Sequence, residues 1–120
     1  MIRILVIDDD AMIRFLLRAV LERQGYEVIE AENGYEGLLC YHAEPTDLVI
    51  TDLEMPVMNG LQLLLALQHA VPPAVVIAIS GNPHALTQAR TLTPHTIAKP
   101  FEPRQVVTAV QMLVAAQGVS

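Results

Sequence analysis

The chain has 120 residues, enough for one compact domain that buries roughly two-thirds of its unfolded surface and too few for two. With 52% hydrophobic and 17% charged residues it is not a disordered chain, and no apolar run approaches the roughly 18 to 20 residues a membrane span needs. A net charge of −6 with scattered Lys and Arg disfavours direct nucleic-acid binding, and a lone Cys40 offers no disulfide framework.

In chain order, the first apolar run, Ile4 to Ile7, stops on Asp8, Asp9 and Asp10. Three aspartates so early are incompatible with a secretory signal, and together with the single cysteine they predict a cytoplasmic protein. Ile13, Leu16, Leu17, Val20 and Leu21 then recur at helical spacing, with Asp10 suited to the N-cap and Gly25 to the C-terminal stop. A short strand around Val28 and Ile29 follows, then Asn33-Gly34 turns into a helix carrying Leu38, Leu39 and Cys40, closed by Pro45. The third strand runs from Leu48 to Thr51 and stops on Asp52. A loop with Met55, Pro56, Asn59 and Gly60 leads to a leucine-rich helix from Leu61 to about His69. The Asn59-Gly60 pair reads as a tight turn into that helix.

Pro72 and Pro73 precede a fourth strand, Val75 to Ile79, apolar on both faces and ending on Ser80. Between Gly81 and Thr96 only Ala85, Leu86, Ala89 and Leu92 suggest a helix, so the fourth helix is expected to be short or irregular, with His84 and His95 in loops. Ile97 and Ala98 end on Lys99. Glu102 and Pro103 open a last helix whose apolar stripe is Val106, Val107, Val110, Leu113 and Val114. This βα alternation, repeated about five times without internal sequence repeats, predicts a doubly wound α/β domain over residues 1–120.

A parallel sheet puts all its carboxyl ends along one edge, where ligands bind in such folds. Asp8, Asp9, Asp52, Ser80 and Lys99 are therefore expected to meet. Clustered carboxylates repel, and a hard divalent cation such as Mg²⁺ is the usual neutraliser. Asp8 and Asp9 suit the metal. Asp52, alone at its strand end, suits nucleophilic attack on phosphorus, with Lys99 as the ammonium and Ser80 as a hydroxyl donor. None of His42, His69, His84 and His95 has metal-ligand spacing.

Four stretches, Val6-Ile7-Asp8-Asp9-Asp10, Asp52-Leu53-Glu54-Met55-Pro56-Val57-Met58-Asn59-Gly60, Ile79-Ser80-Gly81 and Lys99-Pro100-Phe101, resemble in order the receiver domain of bacterial two-component response regulators. The resemblance covers essentially the whole chain. It implies a flavodoxin-like fold with strand order 2-1-3-4-5, and a phosphoprotein switch rather than an enzyme acting on an outside substrate. The switch would catalyse its own phosphorylation and dephosphorylation. The donor would be a sensor histidine kinase or histidine phosphotransferase, the acceptor Asp52, and the output a changed contact with a downstream protein, with neither membrane nor nucleic acid bound directly. It also implies Asp9, Asp52 and the backbone carbonyl of Glu54 as Mg²⁺ ligands, and Asp8 acting through metal-bound water. Ser80 and Lys99 would contact the phosphoryl group, with the Glu54 and Asn82 side chains flanking it, Gly81 leaving the approach open and a cis Lys99–Pro100 bond beside it. Met12 and Phe15, off the main stripe of the first helix, would meet the histidine donor.

Two departures stand out. Thr96 occupies the place where chemotaxis-type receivers carry an aromatic readout residue, and the segment between Ser80 and Lys99 is short, so the output face is expected to be atypical. Two other functions fit parts of the pattern. A receiver-like module could bind without being phosphorylated. A haloacid-dehalogenase-like phosphatase shares an Asp-x-Asp motif, but it needs an acidic pair after the lysine where only Glu102 occurs, and it leaves Asp52 without a role.

Overall fold

A computed structural model describes residues 1–117. Five strands, β1 (Arg3–Ile7), β2 (Glu27–Ala31), β3 (Leu48–Asp52), β4 (Val76–Ser80) and β5 (Thr96–Ala98), form one parallel sheet in the order β2-β1-β3-β4-β5. They alternate with helices α1 (Ala11–Glu22), α2 (Gly34–Ala43), α3 (Gly60–Gln68), α4 (Pro83–Ala89) and α5 (Pro103–Ala116). This is the doubly wound topology the apolar runs imply, in the flavodoxin-like strand order that the receiver resemblance implies.

Successive strand residues point to opposite faces, and the core divides accordingly. Ile4, Val6, Leu48, Ile50, Ile77 and Ile79 pack with Leu17 and Leu21 of α1 and Val106 and Val110 of α5. Leu5, Ile7, Val49 and Ala78 pack with Tyr41 of α2, Leu63, Leu64 and Leu67 of α3, and Ala89 of α4. With both faces covered, β1, β3 and β4 must be apolar along their buried stretches, Ile4–Ile7, Leu48–Ile50 and Val76–Ile79, which is why their sequences run rather than alternate.

Local signals set the helix starts. Asp10 caps α1 by accepting from the Met12 and Ile13 amides, Asn33 caps α2, Asn59 caps α3, and Asn82 caps α4 with Pro83 in its first turn. The Glu102 amide donates to Gln105 Oε1 at 2.8 Å at the start of α5. The fourth helix is short, as the sequence reading expected, but other details differ. The fourth helix is regular but has only seven residues, with His84 inside it and Leu92 beyond it. Its end is fixed by tertiary contacts, since the Thr93 hydroxyl donates to the Val76 carbonyl at 2.7 Å and draws the chain back onto β4. Gly60 serves close approach rather than a turn, because a Cβ there would lie 2.7 Å from the Leu53 carbonyl oxygen and 2.9 Å from its Cα. The Lys99–Pro100 bond is cis as expected, and Val71–Pro72 is cis as well.

Candidate functional site

Register brings the reactive strand ends together. Ile7 lies beside Thr51, Asp52 beside Ile79, and Ser80 beside Ala98, so Asp8, Asp52, Ser80 and Lys99 emerge next to one another along the carboxyl edge. Lys99 Nζ stands 3.2 Å from Asp52 Oδ2 and 3.9 Å from Asp8 Oδ2. Asp8 and Asp52 are each only 3% exposed, whereas Asp9 faces solvent. Each buried carboxylate is tied by one backbone amide: Asp8 Oδ1 accepts from Asp10 N at 2.9 Å and Asp52 Oδ1 from Glu54 N at 3.1 Å. Their remaining oxygens are directed at Lys99.

The electrostatics are those of crowded acids with too little positive charge. Burial, reinforced by Asp52 and Asp9, pushes the Asp8 carboxyl up to about 6 despite the Asp10 amide and Lys99. Burial also raises Asp52, against the Glu54 amide and Lys99. For Lys99, burial favours the neutral amine, but Asp52 and Asp8 outweigh it and raise its pKa. Carboxylate oxygens of Asp8, Asp9 and Asp52 all lie within 4.8 Å of one another, the one such three-residue grouping among the described residues. A compact set of hard oxygen donors carrying unneutralised charge fits a small divalent cation of the Mg²⁺ type.

On the other flank the side chain of Glu54 folds back over Ser80. Its Oε1 accepts from Ser80 Oγ at 2.7 Å and from the Gly81 amide at 2.6 Å, and these two bonds hold its carboxyl below the ordinary range. Gly81 stays close to this cluster, since a Cβ there would be 3.5 Å from Glu54 Oε1. The Asn82 side chain points instead into the cap of α4, accepting from the His84 and Ala85 amides.

Two features escaped the sequence reading. Arg14 of α1 reaches back to the Asp8 carbonyl, with Nη1 at 2.6 Å. Its position four residues after Asp10 was a possible signal, but the contact depends on how α1 packs on the sheet. Val57, in the loop after Asp52, has φ of +80° and is 78% exposed; no sequence signal marks a β-branched residue for that conformation. Of the histidines, His69 forms a local contact between Nδ1 and the Leu65 carbonyl at 2.9 Å, and none joins the acidic group.

Met12 and Phe15 are 72% and 67% exposed on α1. Next to them Ile13, Leu16, Pro100 and Phe101 line an open groove of about 450 Å³ that reaches Asp10 and Lys99. Thr96, the first residue of β5, accepts a hydrogen bond from Arg90 Nε at 3.2 Å, joining β5 to the end of α4.

The response regulator receiver domain profile matches residues 4–111. Similar proteins include the transcriptional regulatory protein ResD of Bacillus subtilis, 37% identical over 114 residues that cover 93% of this chain and 48% of ResD. The chemotaxis protein CheY of Thermotoga maritima is 35% identical over 112 residues, covering 90% of this chain and 93% of CheY. The chain thus spans about half the length of ResD and nearly all of CheY. Among solved structures, a CheY-like receiver domain protein of Methanospirillum hungatei superposes with a TM-score of 0.90 at 28% identity, covering 98% of this chain and 97% of that one. The response regulator TrrA of Thermotoga maritima, solved in complex with Mg²⁺ and BeF, gives 0.86 at 33% identity, with 94% and 99% covered. By sequence match, strand order and the acidic edge of its sheet, the chain belongs to the response regulator receiver domain family.

Proposed function

We propose that residues 1–120 form a single receiver domain that accepts one phosphoryl group on Asp52, in the cytoplasm, and changes its protein contacts as a result. The observation that carries this reading is Lys99 Nζ held 3.2 Å from a buried Asp52 carboxylate at the strand end, with Asp8 and Asp9 alongside. An Asp52 oxygen forms the new O–P bond as the N–P bond to the donor imidazole breaks; the imidazole keeps the electron pair and takes up a proton. Lys99 balances the charge gathered on Asp52 and the phosphoryl oxygens, and the Ser80 hydroxyl and Gly81 amide offer hydrogen bonds to one of those oxygens once Glu54 gives way. Asp9 and Asp52 would hold Mg²⁺ directly with the Glu54 carbonyl, and Asp8 through water. Mg²⁺ held there would supply positive charge that offsets the repulsion among the carboxylates and the charge of the phosphoryl group.

The donor is a phosphohistidine on a sensor kinase or phosphotransferase, and the exposed Met12 and Phe15 with the adjoining apolar groove give it a surface beside Lys99. The downstream partner is a protein. The −6 net charge disfavours nucleic-acid contact by this domain, and the relatives named as transcriptional regulators are about twice its length. The output face departs from the chemotaxis type: Thr96 and Arg90 form a polar link between β5 and the seven-residue α4 where an aromatic would sit. The phosphatase alternative finds no support in the family match, and it leaves the Asp52–Lys99 pair unexplained. Incubation with acetyl phosphate, followed by intact mass, tests the proposal. The expected result is a gain of one phosphoryl group that needs Mg²⁺ and is lost in Asp52→Ala; a gain unaffected by Asp52→Ala would refute the assignment. No gain even with a cognate phosphohistidine donor would favour a module that binds without phosphorylation.

A further inference from the structure

We propose that Arg14 is a positioning residue for the acidic site, holding the Asp8 peptide against β2 so that the Asp8–Asp9 loop is arranged for a divalent cation. The inference rests on the receiver reading above and extends it to a residue that touches neither the phosphoryl acceptor nor the metal-binding carboxylates.

Besides the Lys99 contact 3.9 Å from its Oδ2, three hydrogen bonds hold Asp8. Its amide donates to the Ala31 carbonyl at 3.1 Å, its Oδ1 accepts from the Asp10 amide at 2.9 Å, and its carbonyl accepts from Arg14 Nη1 at 2.6 Å. The first two bonds belong to the sheet edge and the helix cap. The third is the only one supplied by a remote side chain. Arg14 Nε binds Glu30 Oε1 on β2 at 3.1 Å, and Arg18 Nη1 binds Glu30 Oε2 at 2.6 Å, so the carboxylate is shared between two guanidinium groups one helical turn apart. The side chains of Arg14 and Glu30 are 16% and 28% exposed, which makes this pair much less solvated than an ordinary surface bridge. One guanidinium thus bonds Glu30 and the Asp8 carbonyl at once, a fork that a lysine cannot reproduce. Repulsion among the crowded carboxylates works against a compact loop, and the clamp opposes that repulsion. Groups that orient ligands in this way commonly change metal affinity by about 10- to 100-fold when removed.

The sign of the effect separates positioning from plain electrostatics. Removing a positive charge near a cation site should, by Coulomb's law alone, tighten Mg²⁺ binding. Loss of positioning weakens it.

The test is calorimetric titration of the full chain with Mg²⁺ alone, alongside the rate of phosphorylation by acetyl phosphate over a range of Mg²⁺ concentrations. Arg14→Gln is expected to weaken Mg²⁺ binding by about tenfold, with most of the phosphorylation rate recovered at saturating Mg²⁺, and Arg14→Lys to restore only part of the affinity. Arg3→Gln is the control, because Arg3 also ties β1 to β2, through Glu27, at the opposite end of the strands; it should leave Mg²⁺ affinity unchanged. If Arg14→Gln is too unstable to titrate, Arg14→Lys, which keeps the charge but not the fork, decides the question by its weakening; Glu30→Gln, whose lost negative charge weakens cation binding by Coulomb's law as well, should show a weakening too but does not by itself separate the two causes. Unchanged or tighter binding in the Arg14 or Glu30 variants, or equal weakening in Arg3→Gln, would overturn the proposal. No Mg²⁺ binding by the unsubstituted protein would overturn the metal site itself, and this inference with it.

Discussion

Glu54 is where the chemistry of single residues matters most. Its carboxylate holds the two donors, Ser80 Oγ and the Gly81 amide, that a phosphoryl oxygen would need, and it places a negative charge where a phosphate dianion must arrive. Glu54→Gln should therefore accept a phosphoryl group from acetyl phosphate several-fold faster, about 1 kcal/mol in barrier, measured as initial rates at saturating Mg²⁺; an unchanged or slower rate would show that the carboxylate does not compete. Val57 poses a conformational question. Its left-handed backbone costs a β-branched residue roughly 1–2 kcal/mol, and its exposure means that replacement sacrifices little packing. Val57→Asn or Val57→Gly should raise the urea midpoint accordingly, and a lower midpoint would contradict the strain. The role of Asp10 as a cap was legible because it depends on neighbours in sequence. The Arg14–Glu30 contact was not, because it depends on β2 lying next to β1.

At the scale of elements, the three inner strands were legible because both faces of the sheet are covered, so a central parallel strand has to be an apolar run. That same feature located Asp8, Asp52, Ser80 and Lys99 at strand ends before any register was known. The boundaries around α4 were less legible: Thr93 and its bond to Val76 stop the segment, and a hydroxyl that acts across the sheet leaves no periodic trace in sequence. The start of α3 shows a second limit. Asn59-Gly60 looks like turn chemistry, yet what Gly60 provides is room for the helix to sit against the Leu53 backbone. Gly60→Ala should destabilise the fold by about 1–3 kcal/mol, the usual range for forced overpacking, because the obstructing atoms are main chain and cannot rotate aside. A melting temperature equal to that of the unsubstituted protein would remove this explanation.

Across the whole molecule, the acidic edge makes stability depend on pH in a direction set by two raised carboxyls. Asp8 titrates at about 6 in the folded protein against 3.8 for an ordinary aspartate, and Asp52 is raised as well. Between about pH 4 and 6 the folded state therefore holds more protons than the unfolded one, so stability falls as pH rises through that window. Glu30 acts oppositely: hydrogen bonds from Arg18 and then Arg14 lower its pKa, and that stabilisation disappears only as pH falls below the ordinary glutamate range. Metal-free protein in chelator should accordingly show a higher urea midpoint at pH 5 than at pH 7.5, with the difference reduced by saturating Mg²⁺; a midpoint that falls on acidification would contradict the crowding of Asp8 and Asp52. Phosphorylation is expected on Asp52 alone, and chemical trapping of the acyl phosphate locates it. Protein phosphorylated by acetyl phosphate and Mg²⁺, reduced with borohydride and digested, should carry homoserine at position 52 and nowhere else. Homoserine at another aspartate, or a stable phosphoryl group on a serine or threonine, would contradict the account.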